Sequence, residues 1–200
     1  MRRFVLFAIL FCGISPQLFA QRYYGPEVPR YEIGVQADIH RLDGVGEWGG
    51  GLGFRFNYNF NEHVALDSEL VFRQHDLLVS NGVTPQSAVV GQTTGLFGVR
   101  AGTRVEDYGF FASARAGFLH FGTDGGVTLL TRNTVPAFDV RGTLEHYHGP
   151  VILRFELGEL IVAYGNAQAS SNVSLGPPPT PGRLGTRASP VVGLGFAIRF

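Results

Sequence analysis

The six histidines are the most versatile side chains for chemistry in this 200-residue sequence. They are His40, His63, His75, His120, His146 and His148. Asp76 and Ser80 follow His75 closely, so a base, an acid and a hydroxyl nucleophile occur together. Nucleophilic catalysis requires the nucleophile within hydrogen-bond reach of its base, and no recognisable catalytic motif surrounds these residues. We therefore predict no catalytic residues and no enzymatic activity.

Metal and cofactor sites are equally poorly supported. His146 and His148 would share one face of a strand, as two metal ligands can, but no further clear ligands accompany them. The run Gly49-Gly50-Gly51 lacks the strand-to-helix setting of a phosphate-binding loop. Cys12 is the single cysteine and lies in the N-terminal apolar segment, so thiol chemistry is not expected after processing. We predict neither a metal nor a cofactor.

The N-terminus has the features of a secretion signal. Two arginines, Arg2 and Arg3, precede an apolar run from Phe4 to Ile14, and Leu18-Phe19-Ala20 offers a cleavage site before Gln21. The run is short for a membrane-spanning helix, which disfavours the alternative of a retained anchor. The predicted organisation is a signal peptide, a leader and one domain, at 1–20, 21–30 and 31–200.

The charge balance of the exported chain excludes one class of partner. Without Arg2 and Arg3, 14 basic residues remain from the original 16 and face 16 acidic ones, a charge near −2. All the basic residues are arginine. A nucleic-acid-binding protein usually carries a basic surface, so nucleic acid is not an expected partner.

Eight segments of the exported chain alternate between apolar and polar or small residues. A period of two is typical of β-strands, because successive side chains leave opposite faces. The last strand shows it best, with Val192, Leu194, Phe196, Ile198 and Phe200 on one face. Beyond Gly158 the pattern becomes unclear, and a bulge near Glu159 would explain this. The predicted strands are 31–42, 50–60, 64–74, 92–105, 109–120, 137–147, 151–164 and 190–200.

The connections between these strands alternate in length. Three-residue turns are predicted at 61–63, 106–108 and 148–150, whereas the other connections, at 43–49, 77–90, 121–136 and 165–189, are longer. Segment 77–90 contains Asn81-Gly82, a tight-turn pair, and is predicted as a protruding hairpin. Short turns at one end and long loops at the other are typical of a transmembrane β-barrel, and an even strand number leaves both termini at the short-turn end.

The residue composition of the two strand faces indicates which face points outward from the barrel. A soluble lipocalin-like carrier also has eight strands, but its apolar face points inward around a ligand. Here the apolar face carries the bulky aromatics, while the polar face is rich in small residues, as a narrow interior requires. Aromatic residues near the short-turn ends are expected to form an interfacial girdle; they are Tyr31, Tyr58, Phe60, Tyr108, Phe110, Tyr147 and Phe200. We therefore predict an eight-stranded antiparallel up-and-down transmembrane β-barrel with its apolar face outward.

The predicted interior contains nearly equal numbers of acidic residues and arginines. Enclosed charges must pair or be hydrated, because an unpaired buried charge is costly. An eight-stranded barrel is just wide enough to be filled by its own side chains, so a structural ion-pair network is favoured over a gated ion path. The predicted network comprises Glu32, Asp38, Arg55, Asp67, Glu69, Arg73, Arg100, Arg104, Arg115, Asp139, Arg141, Glu145, Arg154, Glu156 and Arg199.

These features together resemble the small OmpA/OmpX-like outer-membrane β-barrel proteins. The resemblance is architectural, covers 31–200 and rests on the signal, the strands, the loop asymmetry and the terminal Phe200. It implies insertion by the barrel-assembly machinery, with Phe196, Ile198 and Phe200 as the C-terminal insertion signal. It also implies an envelope-stabilising role and, in some members, adhesion through the surface loops. The peptidoglycan-binding domain that follows the barrel in OmpA proteins is not expected here.

The resemblance sets the expected location and partners. We expect a monomer in the bacterial outer membrane, in contact with membrane lipid and lipopolysaccharide. Arg132, Arg183 and Arg187 in the outer loops are either solvated or contact lipopolysaccharide phosphates. Some eight-stranded barrels modify lipid A with a histidine near the outer leaflet, where His40, His75 and His120 are expected. The alternatives to a structural or surface-interaction role are a narrow channel, a lipid A-modifying enzyme and a soluble carrier.

Overall fold

The computed structural model describes residues 28–41, 48–80, 85–122, 133–165 and 185–200, without the side chains of 75–90. The predicted signal peptide and most of the predicted leader lie outside these residues. All eight predicted strands are present. They are β1 (Tyr31–Arg41), β2 (Trp48–Asn59), β3 (Val64–Ser80), β4 (Pro85–Val105), β5 (Tyr108–Phe121), β6 (Thr134–His148), β7 (Val151–Gly165) and β8 (Gly185–Arg199).

The strands form one closed antiparallel barrel in chain order. The seam joins β1 to β8, with register pairs from Glu32↔Arg199 to His40↔Val191. Beyond Glu32, Tyr31 and Phe200 exchange two backbone hydrogen bonds, at 3.1 and 2.9 Å. The predicted pairing of the last strand with the first is therefore confirmed, and no edge strand is left to template aggregation.

The register gives the barrel a strong stagger. Register partners followed from Glu32 through β2 to β7 reach Ser189 on β8, yet Glu32 itself pairs with Arg199. The offset from 199 to 189 is ten residues, so the strands tilt steeply against the barrel axis, as closure of eight strands requires. Because of this tilt, inward side chains at the same height along the barrel axis belong to residues that are not register partners.

The two ends of the barrel differ as the sequence predicts. At the short-turn end, β5 follows β4 after only Glu106 and Asp107, and β7 follows β6 after Gly149 and Pro150. Gly149 has φ +59°, a left-handed conformation that glycine adopts without strain. The opposite end, where 42–47, 81–84, 123–132 and 166–184 connect the strands, is called the long-loop end.

Two strand predictions require adjustment. The backbone of β3 and β4 stays paired through the predicted hairpin as far as Ser80↔Pro85, so that hairpin is a continuation of the same two strands; its Asn81-Gly82 turn lies outside the described residues. The bulge near Glu159 is wrong, because β7 pairs regularly with β8 past Glu159↔Pro190 and shifts register only between Ala163 and Gly165. The pattern changes there because β7 turns large apolar residues inward.

The outer surface is apolar over the barrel wall. Strict alternation in β1 exposes Ile33 and Val35 while burying Glu32, and in β2 Leu52 is 71% exposed. Aromatic rings cluster outside the short-turn end, where Tyr31 lies 5.9 Å from Phe200 between ring centroids. Outward apolar and inward polar faces are the reverse of a lipocalin. Among the described residues, there is no helix with the length and apolar character to cross a bilayer.

Tyr147 departs from the predicted aromatic girdle. Its side chain points into the barrel and the residue is only 4% exposed. The odd-numbered residues of β6, such as Arg141 and Glu145, face inward, so strict alternation along the strand would have placed Tyr147 inside the barrel.

Candidate functional site

The barrel interior holds fourteen of the fifteen predicted charges in ion pairs. They form three sets, which lie in order from the short-turn end toward the long-loop end. The lower group is Glu32, Arg100, Arg104, Glu145 and Arg154; the middle group is Arg55, Asp67, Glu69, Arg115, Asp139, Arg141 and Glu156; the upper pair is Asp38 and Arg73.

The middle group interlocks three arginines with four carboxylates from five strands. Arg141 donates to Glu69 at 3.1 Å, to Asp139 at 2.6 Å and to Glu156 at 3.0 Å. Arg115 donates to Asp139 at 2.6 Å and to Glu69 at 2.5 Å. Each guanidinium therefore bridges carboxylates on different strands, a planar fork geometry that lysine cannot provide.

Arg55 completes the middle group from β2. It donates to both oxygens of Asp67, with its Nε at 2.8 Å, and a second ion pair joins it to Glu156. Thr143 also donates to Glu156, at 3.1 Å. The middle group thereby links β2, β3, β5, β6 and β7 across the full width of the barrel, and its carboxylate oxygens are satisfied by several donors at once.

The lower group closes the interior below it. Arg100 donates to Glu32 at 2.8 Å and to Glu145 at 2.5 Å, and Arg154 donates to Glu32 at 2.9 Å. Arg104 reaches Glu32 at 3.1 Å. Two glutamates are thus held between three arginines.

Polar residues that were not in the predicted network complete the lower group. Tyr147 donates its hydroxyl proton to Glu145 at 2.5 Å and accepts from Arg104 Nε at 2.9 Å. Asn59 donates to Glu32 at 2.9 Å and accepts from Arg100 at 3.1 Å. Such partners satisfy additional lone pairs and protons of the group, and buried ion pairs without such hydrogen bonds are unfavourable.

The upper pair stands apart from the other charges. Arg73 donates through Nε to Asp38 at 2.9 Å and through Nη1 to Thr94 at 2.6 Å. Gly51 faces this pair, and a Cβ there would lie 3.0 Å from Asp38 Oδ1 and closer still to Arg73. Only glycine leaves room for the Asp38–Arg73 contact at this position.

Opposite the upper pair, the inner wall is apolar. Eight buried side chains on β5 to β8 face inward near the long-loop end, and we call them the upper apolar wall. They are Leu119, Phe121, Val135, Ala137, Leu160, Val162, Tyr164 and Val191. Because each is at most about a twentieth exposed, this part of the interior is packed and not open to solvent.

Arg199 is the predicted network residue that lies outside the carboxylate ion pairs. Its Nε donates to the carbonyl oxygen of Gly149 at 3.0 Å, and its guanidinium lies 4.7 Å from the centre of the Tyr147 ring. The neighbouring Phe196, Ile198 and Phe200 point outward and are exposed. Their role as an insertion signal stays a prediction.

The histidines are dispersed and not gathered into a site. His40 is buried inside the barrel, whereas His120 is exposed on the outside with a ring nitrogen 2.7 Å from Thr134 Oγ1. His63 contacts the Gly102 carbonyl, and His146 packs 5.0 Å from the Tyr108 ring. The described residues contain no group of three or more potential metal ligands. The side chains of His75, Asp76 and Ser80 lie outside the described set, as do Arg132 and Arg183.

Comparisons with known proteins agree with this architecture. No protein-family model matches the chain, and no curated protein is similar to it in sequence. Among solved structures, the neisserial surface protein NspA superposes with a TM-score of 0.62 at 10% identity, covering 88% of this chain and 100% of NspA. The outer membrane protein OprG from Pseudomonas aeruginosa gives 0.52 at 12% identity, covering 88% and 98%. The protein has the fold of a small eight-stranded outer-membrane β-barrel.

Proposed function

We propose that this protein is a monomeric bacterial outer-membrane β-barrel that serves a structural or surface-interaction role and neither conducts ions nor catalyses a reaction. The short-turn end then faces the periplasm and the long-loop end faces outward. A closed wall satisfies every backbone group within the lipid, and the apolar outer face supports insertion.

The filled interior is the observation that carries the non-conducting part of the proposal. The middle group spans the barrel cross-section with direct ion pairs, including contacts from Glu156 to Arg55 and Arg141. Above it, the upper apolar wall lines one side of the interior, while Gln36, Thr94 and the buried Asp38–Arg73 pair lie on the other side. An ion would have to break several charge-assisted bonds to pass the middle group and would then meet a buried layer that is apolar on one side.

Lipopolysaccharide and the barrel-assembly machinery are the proposed partners. The exposed apolar wall fits lipid chains, and Arg187 is exposed on β8 near the long-loop end, where lipid A phosphates would lie. Outward Phe196, Ile198 and Phe200 on the closing strand are accessible to an insertion machinery before the seam forms. Surface interactions would reside in the loops.

Fractionation tests the location. Expressed with its N-terminal segment in a bacterium with two membranes, the protein is expected in the outer-membrane fraction with a heat-dependent shift in gel mobility. Phe200→Ala is expected to lower the inserted fraction, while Phe60→Ala, an equally exposed aromatic at the same end, is the matched control. Recovery as a soluble periplasmic protein would contradict the proposal.

Planar-bilayer recordings test closure of the interior. The purified wild-type barrel is expected to give no steady single-channel conductance at neutral pH. A reproducible open level from the folded, heat-modifiable form would instead identify a channel.

Mass spectrometry of lipid A tests for enzymatic activity. Overexpression is expected to leave the lipid A mass spectrum unchanged. A new lipid A species that disappears with His120→Ala or His75→Ala would show that the barrel is an enzyme.

A further inference from the structure

Charge is not balanced within each group of the interior. The middle group has four carboxylates and three arginines, whereas the lower group has two glutamates and three arginines. Arg199 adds a fourth guanidinium beside the lower group, through the ring of Tyr147 that Arg104 also faces at 5.5 Å. The other acidic side chains described at this end, Glu62, Glu106 and Asp107, lie on the connecting turns, where Glu62 pairs with His63. The short-turn end of the interior therefore carries excess positive charge.

Two guanidinium N–H groups in this region lack an acceptor. Arg100 Nε and Arg104 Nη1 are buried, and neither has a hydrogen-bond partner within the part of the chain that the structure describes. By contrast, the Nε atoms of Arg55, Arg115 and Arg141 all donate to carboxylates. An unmatched charged donor in a buried position costs considerable free energy, so an acceptor is expected there.

The two donors belong to neighbouring side chains. Arg100 and Arg104 both donate through Nη2 to Glu32 Oε1, at 2.8 and 3.1 Å. Both also stack on Phe111, at 4.6 and 5.4 Å from the ring centre. The two guanidinium groups thus meet at the same carboxylate oxygen and the same aromatic ring in the lower interior.

This region can be reached from the short-turn end. The Arg104 side chain is 12% exposed, more than the other arginines of the ion pairs, and Arg199 is half-buried beside it. The two unpartnered nitrogen atoms are themselves buried, so an anion reaches them only past the exposed part of Arg104, and the 1% exposure of Arg100 excludes a large one.

We propose that the short-turn end of the interior binds a small inorganic anion, such as chloride or phosphate, between Arg100 and Arg104, with Arg199 at its entrance. The anion supplies the missing acceptor and offsets the excess charge, two requirements met by one ligand. A bridging water is the competing occupant, because Asn57 Oδ1 is a buried acceptor that also lacks a partner. Water satisfies hydrogen bonds but leaves the charge excess in place.

Arginine Nε–H resonances of the ¹⁵N-labelled refolded protein in micelles provide a direct test. Sodium chloride or sodium phosphate replaces sodium gluconate at constant ionic strength, because gluconate is too bulky for the site and screening must stay fixed. The Arg100 signal is expected to shift saturably, whereas the Arg73 signal, whose Nε already donates to Asp38 at 2.9 Å, stays in place.

Two variants at the proposed site and one control variant locate the binding. Arg104→Gln is expected to weaken anion binding about tenfold, as loss of one charge-assisted hydrogen bond predicts. Arg199→Gln should weaken it less, and Arg187→Gln at the opposite end should not affect it. If the Arg100 signal does not shift, the space is assigned to water and the proposal is overturned. Non-saturating shifts of all arginine signals together would overturn it as well, and both outcomes are readable from the wild-type protein alone.

Discussion

Toward the short-turn end, β1 to β7 all direct charged side chains into the barrel. Near the long-loop end, the upper apolar wall on β5 to β8 faces one ion pair and other polar side chains, such as Gln36 and Thr94. The lower and middle groups depend on many long-range contacts, such as Arg154 with Glu32 at 2.9 Å across the seam region. The aliphatic side chains of the upper wall, such as Leu160, depend on burial alone.

The difference teaches how one narrow barrel can be filled in two ways. Buried ions are specific about their partners, because removing one leaves another charge uncompensated. Apolar packing is less specific and depends on volume. Gly158 on β7 leaves space for a long charged side chain, because a Cβ there would lie 2.7 Å from Arg141 Cγ.

Removal of a middle-group carboxylate should have an effect among the largest. Glu156→Ala removes the acceptor that Arg55 and Arg141 share and leaves Arg55 with Asp67 as its ion-pair partner, so it is expected to cost about 3–5 kcal/mol of unfolding free energy. Denaturant unfolding in micelles, followed by circular dichroism, measures this. Glu159→Ala on the same strand is the matched control, since its exposed side chain should leave stability near wild type. Equal losses in both variants would contradict the network's role.

At the upper pair, the buried ion pair can be replaced by apolar side chains. Arg73→Leu alone leaves Asp38 buried and unpaired, and is expected to cost about 3–5 kcal/mol. The double variant Asp38→Leu/Arg73→Leu extends the apolar wall and should return to within about 1 kcal/mol of wild type or exceed it. Chemical denaturation of both variants measures the difference. A double variant as unstable as the single one would show that the upper interior requires the ions.

Leu160→Ala probes the apolar wall itself. The fully buried side chain leaves a cavity, with an expected cost of about 2–5 kcal/mol in unfolding free energy. Leu157→Ala, which faces outward and is 56% exposed, should cost less because lipid or detergent fills the space. Denaturation midpoints of the two variants in the same micelles provide the comparison. Similar losses would indicate that the wall is loosely packed.

Arg199 should contribute least among the inward charges. Its contacts are one carbonyl and the Tyr147 ring, so Arg199→Gln is expected to cost about 0.5–1 kcal/mol, and Arg199→Lys should retain part of this. The same unfolding measurement applies. A loss comparable with that of Glu156→Ala would place Arg199 within the ion network.

The fold was predictable because strand alternation is a local signal. Every strand and the inward direction of Arg55 or Glu156 follow from a period of two along the sequence. The bulge predicted near Glu159 was wrong because inward residues were expected to be polar, whereas Leu160 and Val162 face inward as apolar residues. In this strand, the alternation of side chains between the two faces predicts the inward residues correctly, whereas the polarity of the residues does not.

The pairing of the charges could not be predicted from the sequence. Arg55 and Glu69 are register partners, yet Arg55 binds Asp67 and Glu156 while Glu69 binds Arg115 and Arg141. The stagger of ten residues per revolution determines which side chains share a height, and it emerges only when the barrel closes. Asn59 was missed as a partner for the same reason, whereas Tyr147 was missed because it was assigned to the aromatic girdle although strand alternation places it inward.

The seam between β1 and β8 has a consequence for the order of events in assembly. Glu32 and Arg199 are register partners from the first and last strands of the barrel, so their pairing closes a long loop. Hairpins joined by short turns can form early, whereas the seam is entropically the slowest step. Until the seam forms, Glu32 of the lower group lies on an unpaired edge strand. Closure of the barrel and formation of the ion pairs of Glu32 therefore occur together, late in assembly.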